Sequence, residues 1–239
     1  MMTPASCGTL TALTLGLPAA TAVPAQKGTL PKQMFIAKGP VSSSLKKRFT
    51  NDVASIAMLA LLRPINTDTV PGRRMAEILV LGVELNCEQV PVEVIEWIAG
   101  QRASGILFVC VRGEKTQGHG EECAFAVRRG VPVRAGHIPQ AQVHVGEWKP
   151  VSEAKLELAG ASIDDLWDSL CAQTVLGSVD GTDLDRRIAV RARIVQLESD
   201  VDNLTRAHAR AKQPAQRNEL YAKLHKARTQ LDQLRGSAA

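Results

Sequence analysis

Aromatic residues are scarce in this chain: Phe, Trp and Tyr make up 3% of it, with a single Tyr. That excludes the base-stacking platform on which single-strand nucleic-acid binders rely. No run approaches the ~18 consecutive apolar residues that a membrane-crossing helix needs. The apolar stretch at residues 10–25 has no Lys or Arg before it, and Pro18 and Pro24 interrupt it. It therefore lacks both the charged and the continuous apolar segments of a secretory signal. Paired cysteines are missing as well. Cys7, Cys87, Cys110, Cys123 and Cys171 are odd in number and share no short spacing. Three lie in or beside apolar runs, where a thiol packs as a small hydrophobe. The set fits a reducing cytoplasm rather than a disulfide framework.

What is present suits a folded chain. Apolar residues reach 45% of the 239, ordinary for a globular protein and too many for a disordered one. The length fits one domain with an appendage, or two small domains. The net charge of +5 is unevenly placed: residues 1–180 carry 17 Lys and Arg against 17 Asp and Glu, whereas residues 181–239 carry 12 against 7. A basic excess of this kind suits an anionic partner or a solvated helical face.

The organising stretch is residues 76–86, where Ile78, Leu79, Val80, Leu81, Val83 and Leu85 form an almost unbroken β-prone run. Apolar on both faces at strand length, it reads as a strand inside a sheet. Residues 105–111 are its expected neighbour. Between them Pro91 opens a helix whose core face is Ile95, Ile98 and Ala99. Residues 112–122 read as a hairpin loop and 123–128 as the returning strand. Residues 141–145 and 155–158 are further expected strands of an antiparallel extension. Ser162, with Asp165 three positions on, resembles a capping box opening a helix over 162–175. Its apolar face is Leu166, Trp167, Leu170 and Cys171. Upstream, Leu45, Phe49, Val53, Ile56 and Leu59 recur every three or four residues, which predicts one helix from Ser42 to Arg63-Pro64. Lys46, Lys47 and Arg48 at its start are either solvated charge or an anion contact.

The tail has another period. Val190, Ile194, Leu197, Val201, Leu204, His208 and Ala211 alternate spacings of four and three, as do Leu220, Leu224, Ala227, Leu231 and Leu234. That alternation keeps one seam facing a partner helix. Pro214 and the polar turn at 212–218 predict two antiparallel arms.

Three sets of residues are candidates for chemistry. Gly113, Lys115 and Thr116 have the wrong spacing for a phosphate-binding loop, and a strand is expected after them. His119, Cys123, His137 and His144 match no zinc-ligand spacing. Asp68, Glu77 and Glu84 flank the central strand, where carboxylates followed by a Lys would hold Mg²⁺ in a restriction-type nuclease. Glu84 is followed by Leu85 and Asn86, so the Lys is missing.

Short motifs in order along the chain carry a family resemblance. They are Leu17-Pro18, Leu30-Pro31-Lys32 with Phe35, Ser44-Leu45-Lys46-Lys47-Arg48-Phe49, and Leu62-Arg63-Pro64-Ile65-Asn66. They continue with Glu77-Ile78, Glu84-Leu85, Ile106-Leu107-Phe108, Glu147-Trp148 and Leu156 to Trp167. Lys212-Gln213-Pro214 and Glu219-Leu220 complete the set. Together they resemble the bacterial family known as domain of unknown function 4391, over about residues 17–234. The resemblance implies a protein of the kind encoded beside DNA methyltransferases and helicases of restriction-modification or phage-defence systems. It supplies no catalytic residues. Where family members tend to have Glu-Ile-Lys at the end of the central strand, this chain has Val83-Glu84-Leu85, which weakens the nuclease reading.

The expected fold is α+β: a mixed β-sheet core with flanking helices, then a C-terminal antiparallel coiled-coil hairpin. Residues 1–40 are expected to form an irregular, partly packed arm, 41–178 the core domain and 183–235 the hairpin. The functional expectation is a cytoplasmic, non-enzymatic accessory subunit with no cofactor or metal and no membrane contact. Its protein partner, a methyltransferase or helicase by the resemblance, would dock on the hairpin. Arg186, Arg187, Arg191, Arg193, Arg206, Arg210 and Lys212 are the candidate contacts to an acidic surface or nucleic acid. The alternatives are a degenerate metal-dependent nuclease using Asp68, Glu77 and Glu84, and direct DNA binding by the hairpin. The seam is also compatible with a homo-oligomer.

Overall fold

A computed structural model describes residues 3–37, 39–113, 120–131 and 140–238. The chain is α+β and divides into two compact units, Met1–Thr182 and Asp183–Ala239. The centre of the first unit is β4 (Ile78–Leu85), in which every residue but Glu84 is buried. It runs parallel to β5 (Gly105–Arg112), in register from Ile78 opposite Gly105 to Leu85 opposite Arg112. The crossover between them carries α5 (Val92–Gly100), the connection that parallel neighbours require. Val94, Ile95, Ile98 and Ala99 on α5 are buried.

Antiparallel strands complete the sheet in the order β3 (Val53–Leu62), β4, β5, β6 (Glu122–Val131), β7 (Gln140–Val145), with β8 (Lys149–Pro150) pairing a stretch of β6. Side chains alternate between its faces. Leu79, Leu81, Val83, Ile106, Phe108 and Cys110 share one core with Phe49 and the buried face of α5. The opposite face meets α6 (Ile163–Leu176) and the start of the N-terminal arm around Cys7, whereas Phe35 from the arm's later part joins the first core. Ser162 and Asp165 form the expected reciprocal cap, with Ser162 Oγ accepting from the Asp165 amide at 3.2 Å and the Asp165 carboxylate accepting from the Ser162 amide at 3.1 Å. Gly177 closes α6 in the left-handed region, at φ 66°, where glycine carries no Cβ penalty.

The long helix expected from Ser42 to Arg63 does not exist. The α3 helix (Ser43–Asn51) stops at Asn51, and β3 follows. The pairing of β3 with β4 slips between Val53 and Ser55 and again between Met58 and Ala60. Each slip shifts the strand's inside–outside alternation by one residue. Burial at Val53, Ile56, Leu59 and Leu62 thereby acquires a spacing of three that imitates a helix face. Arg63-Pro64 ends this strand and opens the short α4 (Pro64–Thr67), with the Arg63 amide donating to Asn66 Oδ1 at 2.8 Å. Arg48, read as solvated charge or an anion contact, pairs with Asp52 at 3.3 Å and Glu93 at 2.6 Å.

Residues 155–158 are not a strand either. The Leu156 amide donates to Leu15 O at 2.8 Å, and the Glu157 amide donates to Gln173 Oε1 at 2.9 Å. Scattered bonds to the arm and to Gln173 of α6 hold that segment where a ladder was expected.

The arm contains β1 (Ser6–Cys7), β2 (Leu10–Thr11), α1 (Ala25–Gly28) and α2 (Gln33–Ile36). Isolated bridges from Ala22 to Ala60 and from Thr29 to Ala57 tie it to β3. Cys7 sits against Gly82 of β4, where an added Cβ would overlap the Cys7 Cβ. Four thiols, those of Cys7, Cys110, Cys123 and Cys171, are buried, Cys87 is half-buried, and none of the five forms a disulfide.

The second unit is a pair of helices, α7 (Leu184–Arg210) and α8 (Pro214–Ala238). They run antiparallel: Arg235 Nη2 reaches Glu198 Oε1 at 2.7 Å, and His208 faces Tyr221. Leu197, Ala227 and Leu231 are buried between them, flanked by Ile194, Val201, Leu204 and Leu234. The turn is tighter than the polar stretch suggested. Pro214 already opens α8, because its fixed φ and missing N–H cost nothing in a first helical turn.

Candidate interaction surface

The carboxylates considered for metal chemistry are held apart by the strand that carries them. Glu77 lies just before β4 and Glu84 near its end, seven residues along an extended chain, which is roughly 23 Å. Arg63 forks onto a single Glu77 oxygen, from Nε at 2.8 Å and Nη2 at 2.7 Å. Glu84 accepts from Ser55 Oγ at 2.9 Å. Asp68 caps α4 in the left-handed region at φ 59°. The three residues do not converge, and among the described residues no cluster of His, Cys, Asp or Glu could hold a metal.

Of the zinc-like set, His119 and His137 lie outside the described residues, as do Lys115 and Thr116 of the phosphate-loop-like stretch. Cys123 is buried in β6, and burial pushes its thiol up to about 11. His144 on β7 is pushed below the usual imidazole range by burial and by nearby Arg129.

A charged network fastens the segment leading into β4. Asp168 Oδ2 accepts from Arg74 Nη2 at 2.7 Å, and Asp168 Oδ1 accepts from Arg129 Nη1 at 2.7 Å. The Asp164 carboxylate accepts from the amides of Arg73 at 2.8 Å, Arg74 at 3.0 Å and Met75 at 3.1 Å. Burial alone would raise its pKa; the three amides and Arg74 outweigh that and hold it below the usual carboxylate range. Every group here has a partner, so the network reads as a fastening of the loop.

The hairpin differs. Arg186, Arg193, Arg206, Arg210 and Lys212 are exposed, while Lys223 pairs with Glu219 and Arg235 with Glu198. Arg187 and Arg191 have interactions of their own. The seven basic residues do not form one stripe. Arg206 and Arg210, four apart, share a face. Arg193 is thirteen residues before Arg206, a rotation that puts it on the other side of the helix at 3.6 residues per turn.

What they share, at one end, is the absence of acid. No Asp or Glu occurs between Asp202 and Glu219, the span that contains the hairpin turn. Arg206, Arg210, Lys212 and Arg217 there are all exposed. Tyr221, 60% exposed, has its ring 6.1 Å from that of His208 and 6.5 Å from that of His225. Sequence reasoning missed Arg217 and Tyr221; the acid-free span was the signal that could have found them. Chemically the tip offers point charges around an amphipathic ring, suited to an acidic surface with an apolar spot.

Fold and surface define an α+β domain followed by a helical hairpin with a cationic tip, a class set by architecture and not by a reaction. More specifically, the chain belongs to the family described as "Domain of unknown function (DUF4391)", whose model matches residues 15–231. No curated protein and no solved structure matches it. Among the described residues, no helix is long and apolar enough to cross a membrane.

Proposed function

We propose that this protein is a non-enzymatic interaction module, an accessory subunit of a bacterial DNA-modifying or phage-defence assembly that docks through the tip of its helical hairpin. The observation that carries the docking role is the acid-free span between Asp202 and Glu219, with four exposed cations beside exposed Tyr221. A partner matched to it presents Asp and Glu around a shallow apolar spot. The family resemblance supports the setting, and a methyltransferase or helicase is the partner class it suggests. Charge of this kind contributes chiefly to encounter rate and orientation, so binding weakens as salt rises.

The test is affinity capture of tagged full-length protein from its native host after nuclease treatment, beside the full-length triple variant Arg206→Glu, Arg210→Glu, Arg217→Glu. The expected result is a methyltransferase or helicase retained by the unaltered chain and lost by the variant. Retention of the same partner by both forms removes the tip from the interface. Duplex DNA bound by the purified protein, with log affinity falling steeply against log salt, would transfer the tip's role to nucleic acid.

A further inference from the structure

The connection between β3 and β4 presents one large apolar side chain to solvent. Ile65 on α4 is 92% exposed, and no other large apolar side chain among the described residues is more so. A single exposed hydrophobe is ordinary, but the turn that carries this one is firmly built. Asn66 Oδ1 accepts from the Arg63 amide at 2.8 Å, and Asn66 Nδ2 donates to Leu61 O at 2.9 Å and to Ala20 O at 3.3 Å. Thr67 Oγ1 donates to Arg63 O at 2.8 Å. The polar side chains of the turn are engaged with its own backbone and with the arm, and Ile65 is left outward in a fixed place. A contact made there loses little freedom on forming.

Two features surround this knob. The bond from Asn66 to Ala20 sets α4 beside the arm, where Pro18, Ala19 and Ala20 are exposed. No Lys, Arg, His, Asp or Glu occurs before Lys27, so these three residues form a small, apolar, uncharged shelf. Opposite charges then bracket the knob, Arg63 two positions before it and Asp68 three after. Arg63 gives Nε and Nη2 to one Glu77 oxygen, and its Nη1 is left over. Asp68 is exposed, and no ion pair engages it among the described residues.

We infer that this face pairs with the same face of a second copy about a two-fold axis, Ile65 of each chain lying on the Pro18–Ala20 shelf of the other. An isologous contact sets a patch against itself, so a patch of one charge repels its copy. Here the shelf is neutral, and the two-fold carries Arg63 of each chain to Asp68 of the other. A pocket in an unrelated partner would account for the knob alone. The knob, a shelf to receive it and the reciprocal charges form a self-complementary set. The patch is small, which makes the pair a reversible one of micromolar strength. It is separate from the hairpin tip and does not rest on the tip's role.

Sedimentation velocity on the full-length protein across the micromolar range is expected to show a monomer–dimer equilibrium. Ile65→Asp alters a side chain already in water, so the fold is retained, as far-UV circular dichroism checks. It should weaken dimerisation by about tenfold or more. Asp68→Asn keeps a residue type that tolerates the left-handed backbone at φ 59°. It should weaken the dimer a few-fold and reduce its salt dependence. Arg63→Glu and Asp68→Lys should each dimerise poorly alone and recover the dimer when mixed, because mixing restores opposite charges at both contacts. Should Arg63→Glu fail to fold, Asp68→Asn carries the charge test. The triple hairpin variant should dimerise as the unaltered chain does.

A protein that stays monomeric at every concentration overturns the inference. So does a dimer unchanged by Ile65→Asp, which would belong to another surface such as the helical seam. Growth past the dimer into open polymers would overturn the two-fold. A monomeric protein whose captured partner is lost on Ile65→Asp would give the face to that partner and overturn self-pairing.

Discussion

The sheet and the hairpin bury their apolar residues in different ways. In β4 and β5 every residue is buried except Glu84 and Arg112, and their partners come from strands and helices far away in sequence. In α7, 27 residues long, only Leu184 and Leu197 are buried, and the seam is completed by the neighbouring α8. A layer covered on both faces spends its surface on stability and leaves little to present to a partner. A two-helix pair keeps most of its surface in solvent, and its local opening is correspondingly cheap. Exposed surface is concentrated where the fold is thinnest.

That contrast can be broken at several points. Phe108, fully buried in β5, should have the largest effect: Phe108→Ala is expected to cost about 3–5 kcal/mol through lost burial and a residual cavity. Urea unfolding followed by fluorescence reads it, and a cost below about 1 kcal/mol would show that the sheet is not the stability centre. Leu197→Ala should cost about 2–3 kcal/mol, felt in the hairpin. Hydrogen exchange should show loss of protection in α7 and α8 while β4 and β5 keep theirs. Equal loss in both units would mean that they unfold as one.

Asp168→Asn removes the charge that Arg74 and the 9%-exposed Arg129 share, at an expected cost of about 2 kcal/mol. The smallest effect is a pH dependence. Because the folded pKa of Asp164 is depressed, its contribution is fully present above the unfolded value of about 3.9 and is lost as pH falls through the folded value. Asp164→Asn should flatten the stability profile below pH 4, and an unchanged acid slope would remove Asp164 from it. It should leave the profile near neutrality parallel to that of the unaltered chain.

The parts of the fold that local chemistry dictates were legible from sequence. The parallel pair β4–β5 followed from two apolar runs flanking a helix pattern, and every seam residue from Val190 to Leu234 turned out at least half-buried, because a four–three period has few other meanings. Strand β3 was misread for a physical reason. Its two slips against β4 are a property of the pair, and nothing in residues 53–62 alone announces them. The candidate site was only partly legible. Arg206, Arg210 and Lys212 are exposed at the tip as a charge count suggests, but Tyr221 acquires its place beside His208 only through the antiparallel fold. The place of Gln101 was invisible in sequence, since it is held by a carbonyl at Phe35, more than sixty residues away.

The contact of Gly82 with Cys7 has a consequence for inheritance. Position 82 holds a hydrogen atom where any other amino acid would hold at least a carbon, and that carbon would occupy the space of the Cys7 side chain. The two positions therefore cannot vary independently. A lineage that enlarges residue 82 must first empty residue 7 or let the arm rise from the sheet. The arm is thus tied to the sheet by a steric rule written into two distant codons.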